Sequence, residues 1–81
     1  MGVRVKTRFR KRTARPDTAR IGGNLKRRRE AAGLRQVDLA EQCAIGQSFL
    51  NQLENGQNCP SIRTLLDLCR VLKCTPNDLL M

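Results

Sequence analysis

Between Gln36 and Gly56 the chain reads QVDLAEQCAIGQSFLNQLENG, which leaves room for only two short helices joined by a tight turn. Val37, Leu39, Ala40 and Cys43 recur at helical spacing and predict a helix over about Gln36–Cys43, with these four as its buried side. Ala44-Ile45-Gly46 forms the turn, and Gly46 is an acceptable cap for the next helix, Gln47–Glu54, which Gly56 closes. On that second helix Phe49, Leu50 and Leu53 share one side and are expected to face a core. Gln47, Ser48, Asn51 and Gln52 are related by steps of three and four and share the other. A solvated face is usually built from Lys and Glu. This one offers paired donors and acceptors without charge, the chemistry that base edges in a major groove require. The expectation is a helix that reads DNA.

The flanks complete an all-helical body. Asp17 and Thr18 are good helix-starting residues, and Ile21, Leu25 and Ala32 follow at helical spacing. Gly22 and Gly23 weaken that first helix by about 1 kcal/mol each relative to Ala, and Gly33 ends it as a left-handed cap. After the loop Gln57-Asn58-Cys59-Pro60, Ser61 caps a helix over about Ile62–Leu72, where Ile62, Leu65, Leu66, Cys69 and Leu72 form a stripe. Thr75 and Pro76 open a short last turn, Pro76–Leu80. Eighty-one residues allow one small domain, here residues 17–81. Five helices, no strands and short connections predict an all-α bundle with a central helix-turn-helix.

Charge is concentrated ahead of that body. Formal net charge is +9, of which residues 1–16 carry +7 with no acid, leaving +2 for the remainder. Arg4, Lys6, Arg8, Arg10, Lys11 and Arg12 therefore make a basic N-terminal arm, with Arg15 beside Pro16, which separates arm from body. Such an arm attracts a polyanion by counterion release, an effect that weakens steeply with salt. Val3, Val5, Thr7 and Phe9 alternate with its cations, so the arm is expected to stay unstructured alone and become extended only on a partner.

Other classes are disfavoured. There is no apolar run near the ~18 residues of a membrane span, nor the apolar centre of an export signal, so the expected compartment is the cytoplasm, on the nucleoid. Cys43, Cys59, Cys69 and Cys74 contain no C-x-x-C pair, and the chain has no His, so neither a metal nor another cofactor is expected. Cys43 and Cys69 fall on apolar stripes and read as small buried side chains. No paired carboxylates, phosphate-binding Gly loop or activated nucleophile argues for an enzyme.

The pattern Leu25, Arg29, Gly33-Leu34, Gln36, Leu39-Ala40, Ile45, Gln47-Ser48, Gln52-Leu53-Glu54-Asn55-Gly56, Pro60, Leu65 and Leu72 resembles the helix-turn-helix domain of the lambda-type phage repressors and Cro proteins, the xenobiotic-response-element family. The likeness covers residues 18–80, with the spacing from Gly33-Leu34 through Leu39-Ala40 to Leu53-Glu54-Asn55-Gly56 running without a gap, and leaves the arm outside. It implies a lambda-repressor-like fold whose Gln47–Glu54 helix enters the major groove of double-stranded DNA, with Gln47, Ser48, Asn51 and Gln52 reading bases. By the same resemblance Gln36 holds a phosphate and braces the first reading glutamine, Gln47, while Asn55, Gln57 and Asn58 contact backbone phosphates. Arg35 stands where the family usually has a capping Ser, Thr or Asn; the cap is lost, but its guanidinium lies close to the phosphates. Arg29 and Glu54 resemble a structural ion pair between the first and third helices. Two more residues depart from the pattern: Ala44 stands where the turn commonly has Gly, and Arg28 where the residue is usually apolar.

Family members usually act as twofold dimers on near-palindromic operators, with half-sites one helical turn apart, ~34 Å. Leu79, Leu80 and Met81 supply apolar groups for such a contact, so the last two helices are expected to carry the homodimer. The expected function is a sequence-specific transcriptional regulator, a repressor of phage, plasmid or bacterial origin, with the arm on the DNA backbone or in the minor groove. The alternative is an antitoxin or a restriction-modification controller that uses the arm for a protein partner. RNA binding is disfavoured, because only Phe9 and Phe49 are available to stack on bases.

Overall fold

The computed structural model describes residues 16–81. In chain order these form α1 (Pro16–Ala31), α2 (Gln36–Gln42), α3 (Gln47–Glu54), α4 (Ile62–Leu72) and α5 (Pro76–Leu80), with no strand among the described residues. Architecture and helix order are those the sequence predicts. Two boundaries move. Pro16 is the first residue of α1 rather than a separator before it, since Pro at the first helical position loses no intrahelical bond. Asp17 and Thr18 thus sit inside the first turn, where the Asp17 carboxylate suits the helix dipole. Cys43 is the cap of α2, not its last helical residue.

One device ends the first four helices. A residue with positive φ follows the last turn, and the next N–H reaches back to a carbonyl five residues earlier. The bonds are Leu34 to Arg29 at 3.1 Å, Ile45 to Ala40 at 2.9 Å, Gln57 to Gln52 at 2.9 Å and Cys74 to Cys69 at 3.0 Å. Gly33 and Gly56 supply two of the left-handed positions; Ala44 and Lys73, each at φ +57°, supply the others against a steric cost of roughly 1–2 kcal/mol. The turn between α2 and α3 is therefore short and stiff, and it sets the angle between them.

α1 lies across α3 and α5, and α2 packs on α3 and α4. Leu25, Leu39, Leu50, Leu53, Leu68 and Leu79 are fully buried, each worth about 1.5–3 kcal/mol of transfer free energy. Ala40, Cys43, Cys69 and Leu72 complete the cluster, with Leu34, Ile45, Phe49 and Leu65 packed at its margin. At Gly22 the backbone of α1 lies close against that of α3. A Cβ there would press on the Leu53 carbonyl oxygen and come within 2.6 Å of that of Glu54. The residue that looks like a weakness in α1 is what allows α1 to seat on α3.

The helical stripes need correcting at several points. Val37 was expected on the buried side of α2 but is exposed, because the packed face of this short helix is centred on Leu39, Ala40 and Cys43. On α4 the inward face runs through Leu68, Cys69 and Leu72, so Leu68 belongs to the core, while Ile62 and Leu66 from the expected stripe are 75% and 51% exposed. Ala32 lies past the end of α1 and is exposed. Leu79, expected at a dimer surface, is buried beneath α1; Leu80 and Met81 do remain exposed.

Candidate nucleic-acid interface

α3 rests on its neighbours through Leu50 and Leu53, which turns Gln47, Ser48, Asn51 and Gln52 outward, and all four are exposed. Gln47 and Ser48 make no side-chain hydrogen bond among the described residues. Asn51 and Gln52 are each held. The Gln36 side-chain amide, at the start of α2, donates from Nε2 to Asn51 Oδ1 at 3.1 Å and to Glu54 Oε1 at 3.0 Å. Asn58, in the loop after α3, donates from Nδ2 to Gln52 Oε1 at 2.6 Å.

The brace from Gln36 corrects one expectation, because it reaches Asn51 and not Gln47. The reason is geometric. The Glu54 carboxylate anchors the Gln36 nitrogen, and Asn51 lies one turn before Glu54 on the same face, whereas Gln47 lies two turns away.

Behind this outer layer sits an ion pair. Arg29 donates from Nε to Glu54 Oε2 at 2.6 Å and from Nη2 to Glu54 Oε1 at 3.1 Å, and both residues are buried. Nη1 of Arg29 also donates to the Leu34 carbonyl at 2.8 Å. The hydrogen bonds to Glu54 push the Arg29 pKa up, overcoming the opposing effect of burial. A two-point pair of this kind fixes both distance and rotation between α1 and α3.

The residues expected at phosphates lie around the rim. Arg35 precedes α2, and in this structure its guanidinium is engaged by Asp38 in a two-point contact, both bonds at 3.0 Å. Asp38 also accepts the Arg35 backbone N–H at 3.1 Å, half of a capping box, so the absent Ser or Thr cap is replaced by the reverse bond. These bonds from Arg35 hold the Asp38 carboxyl below its ordinary pKa. Asn55 caps the end of α3, and Asn55, Gln57 and Asn58 are all exposed beside it. Arg28, at a usually apolar position, keeps its head outside the core, 3.6 Å from Asp78. The arm cations Arg4, Lys6, Arg8, Arg10, Lys11 and Arg12 lie outside the described residues. Among the described residues no Cys, Asp or Glu cluster has the convergence a metal ion needs, and no helix is long and apolar enough to cross a membrane.

Three things escape the sequence: the Gln36–Glu54 bond, the Asn58–Gln52 bond and the fit of Gly22. The first joins residues 18 apart on consecutive helices, the last brings α1 against α3, and the second depends on how the loop folds back. No periodicity signals any of them.

Comparison with known proteins agrees with this geometry. The chain is 28% identical over 65 residues to the ImmF control region 10 kDa protein of Bacillus phage phi105, spanning 80% of this chain and 72% of that one. The fold matches the restriction-modification controller protein C.AhdI of Aeromonas hydrophila with a TM-score of 0.74 and 32% identity, over 78% of this chain and 96% of that one. It also matches SinR, a master regulator for biofilm formation solved in complex with DNA, with a TM-score of 0.70 and 34% identity, over 75% of this chain and 98% of that one. These neighbours are regulators, not enzymes. The helix-turn-helix family model aligns with residues 25–79, from the first core leucine of α1 to the buried leucine of α5, and by that match, with the two-helix unit at its centre, the chain belongs to the helix-turn-helix family of transcriptional regulators.

Proposed function

We propose that this chain is a sequence-specific double-stranded DNA-binding regulator that represses transcription as a homodimer on a near-palindromic operator. The observation that carries this reading is the uncharged outward face of α3, four amide and hydroxyl side chains mounted on a helix braced from two sides. α3 enters the major groove; Gln47, Ser48, Asn51 and Gln52 read base edges, each good contact contributing roughly 1–3 kcal/mol of discrimination. Gln36, Asn55, Gln57 and Asn58 set register on the phosphates, joined by Arg35 once its guanidinium exchanges Asp38 for the duplex. The basic arm adds affinity that does not depend on sequence. Such a regulator works in the cytoplasm, where the DNA is. Similarity to SinR, solved on DNA, and to a phage control-region protein supports the reading.

Dimerisation uses α4 and α5. Ile62, Leu66, Leu80 and Met81 are the large apolar side chains there that the chain's own core leaves exposed. A narrower assignment, a controller of a restriction-modification operon, is favoured by the likeness to C.AhdI across nearly all of that protein. An arm that binds a protein partner, as in an antitoxin, remains the alternative.

The deciding experiment is selection of binding sites from random duplex DNA. A twofold-related motif with half-site centres one helical turn apart is expected. Binding without base preference would overturn the proposal.

A further inference from the structure

Lys26, Arg27, Arg28 and Arg29 are consecutive cations on α1, and a helix sends such neighbours in different directions. Arg29 pairs with Glu54 of α3. Arg28 lies 3.6 Å from Asp78 of α5. Arg27 donates from both terminal nitrogens to Asn24 Oδ1, at 3.0 and 2.9 Å, and Asn24 in turn donates to the Leu79 carbonyl of α5 at 2.9 Å. Lys26 is exposed and makes no ion pair among the described residues.

Its direction follows from its neighbours. Ala19, Gly22, Lys26 and Arg29 are spaced by three, four and three, so they share one side of α1. The other three all meet α3 or the residue that closes it. A Cβ on Gly56 would stand 3.0 Å from the Ala19 Cα, Gly22 faces the Leu53 and Glu54 carbonyls, and Arg29 holds Glu54. Lys26 therefore stands on the α3 side of α1, whereas Arg27 and Arg28 are tied to the α5 side. Helical side chains lean over the turn that precedes them. For Lys26 that turn holds Gly22 and Gly23, which put no side chain in the way, and Gly23 borders open space. This course carries the ammonium toward the end of α3 and exposed Asn55.

That edge is short of positive charge. From Arg35 to Pro60, through α2, α3 and the loop after them, Arg35 is the only cation, against Asp38, Glu41 and Glu54. Arg35 is engaged by Asp38 and Glu54 is answered by Arg29, which leaves Glu41. A unit so charged repels a duplex unless cations from outside it reach the phosphates. We infer that Lys26 is such a cation: it binds a backbone phosphate at the edge of the groove that α3 enters, giving α1 a direct part in DNA binding. The inference rests on the proposed role of α3 as the reading helix.

The test is duplex binding by the full chain as a function of salt, with Lys26→Gln set against Arg27→Gln, which removes the same charge from the adjacent position. Loss of one phosphate contact flattens the slope of log affinity against log salt by about 0.9 per subunit and weakens binding about eightfold at roughly 0.1 M salt. Lys26→Gln is expected to do both, equally on the selected operator and on random duplex, with base preference and thermal midpoint unchanged. Lys26→Arg should keep the original slope and affinity. Arg27→Gln should flatten the slope by less than half as much. Equal effects of Lys26→Gln and Arg27→Gln overturn the inference, since they report net charge alone. So does a lowered thermal midpoint in Lys26→Gln with the slope intact, the mark of a cation that only steadies the carbonyl end of α3. In both cases the reading role of α3 stands. A selected motif that neither Gln47→Ala nor Gln52→Ala alters overturns that role and the inference together.

Discussion

Arg29 and Glu54, twenty-five residues apart in the chain, meet in a buried two-point ion pair that ties α1 to the end of α3. Removing one partner leaves the other buried charge with only weaker contacts, the Gln36 amide on Glu54, or the Leu34 carbonyl and the more distant Glu30 on Arg29. Arg29→Met or Glu54→Leu alone should cost about 3–5 kcal/mol, and the double replacement should recover much of that loss. Chemical denaturation of the two single variants and the double variant measures the coupling. A double variant as unstable as the sum of the singles would show that the pair has no energetic link.

The two adjacent glycines of α1 should respond in opposite directions. Gly22→Ala puts a methyl group against two backbone carbonyls of α3, which cannot retreat as a flexible side chain would. Loss of several kcal/mol, on the scale of overpacking, is expected in thermal unfolding. Gly23 has open space around it, so Gly23→Ala should stabilise by up to about 1 kcal/mol through helix propensity.

The proposed dimer surface is tested by Leu66→Asp. Leu66 is half exposed and away from α3, so the substitution should leave the helices intact while shifting the chain to monomer in sedimentation. Operator affinity should fall with it. Sedimentation of the unaltered chain as a monomer at high micromolar concentration, with and without DNA, would eliminate the dimer.

Thiol chemistry should separate the cysteines. Cys59 is exposed, whereas Cys43 and Cys69 are buried. Burial pushes the Cys43 thiol up, and burial together with neighbouring Cys74 takes Cys69 to about 11. At pH 8 iodoacetamide should modify Cys59 within the folded chain and reach Cys43 and Cys69 only on unfolding, as peptide mass spectrometry would read. Modification of Cys69 as fast as Cys59 would contradict the packing of α4.

Local code carried most of the architecture. Helix ends are written in single residues, because a cap or a left-handed position is satisfied within one turn of itself; Gly33, Gly56, Ser61 and the Thr75–Pro76 pair place α1, α3, α4 and α5 to within a few residues. The outward set on α3 was legible for the same reason, since steps of three and four fix which side chains share a face. The stripes on short or unevenly packed helices were not. A periodic pattern marks an apolar face without saying which neighbour will cover it, so Ile62 and Leu66 read as part of the buried stripe and Leu68 did not, until α2 and α5 were in position. Folding alone brought Gly22 onto the Leu53 and Glu54 carbonyls and Gln36 onto both Asn51 and Glu54. Contacts of that kind leave no trace in spacing, because their strength depends on distances between helices that the chain sets only once all of them have packed.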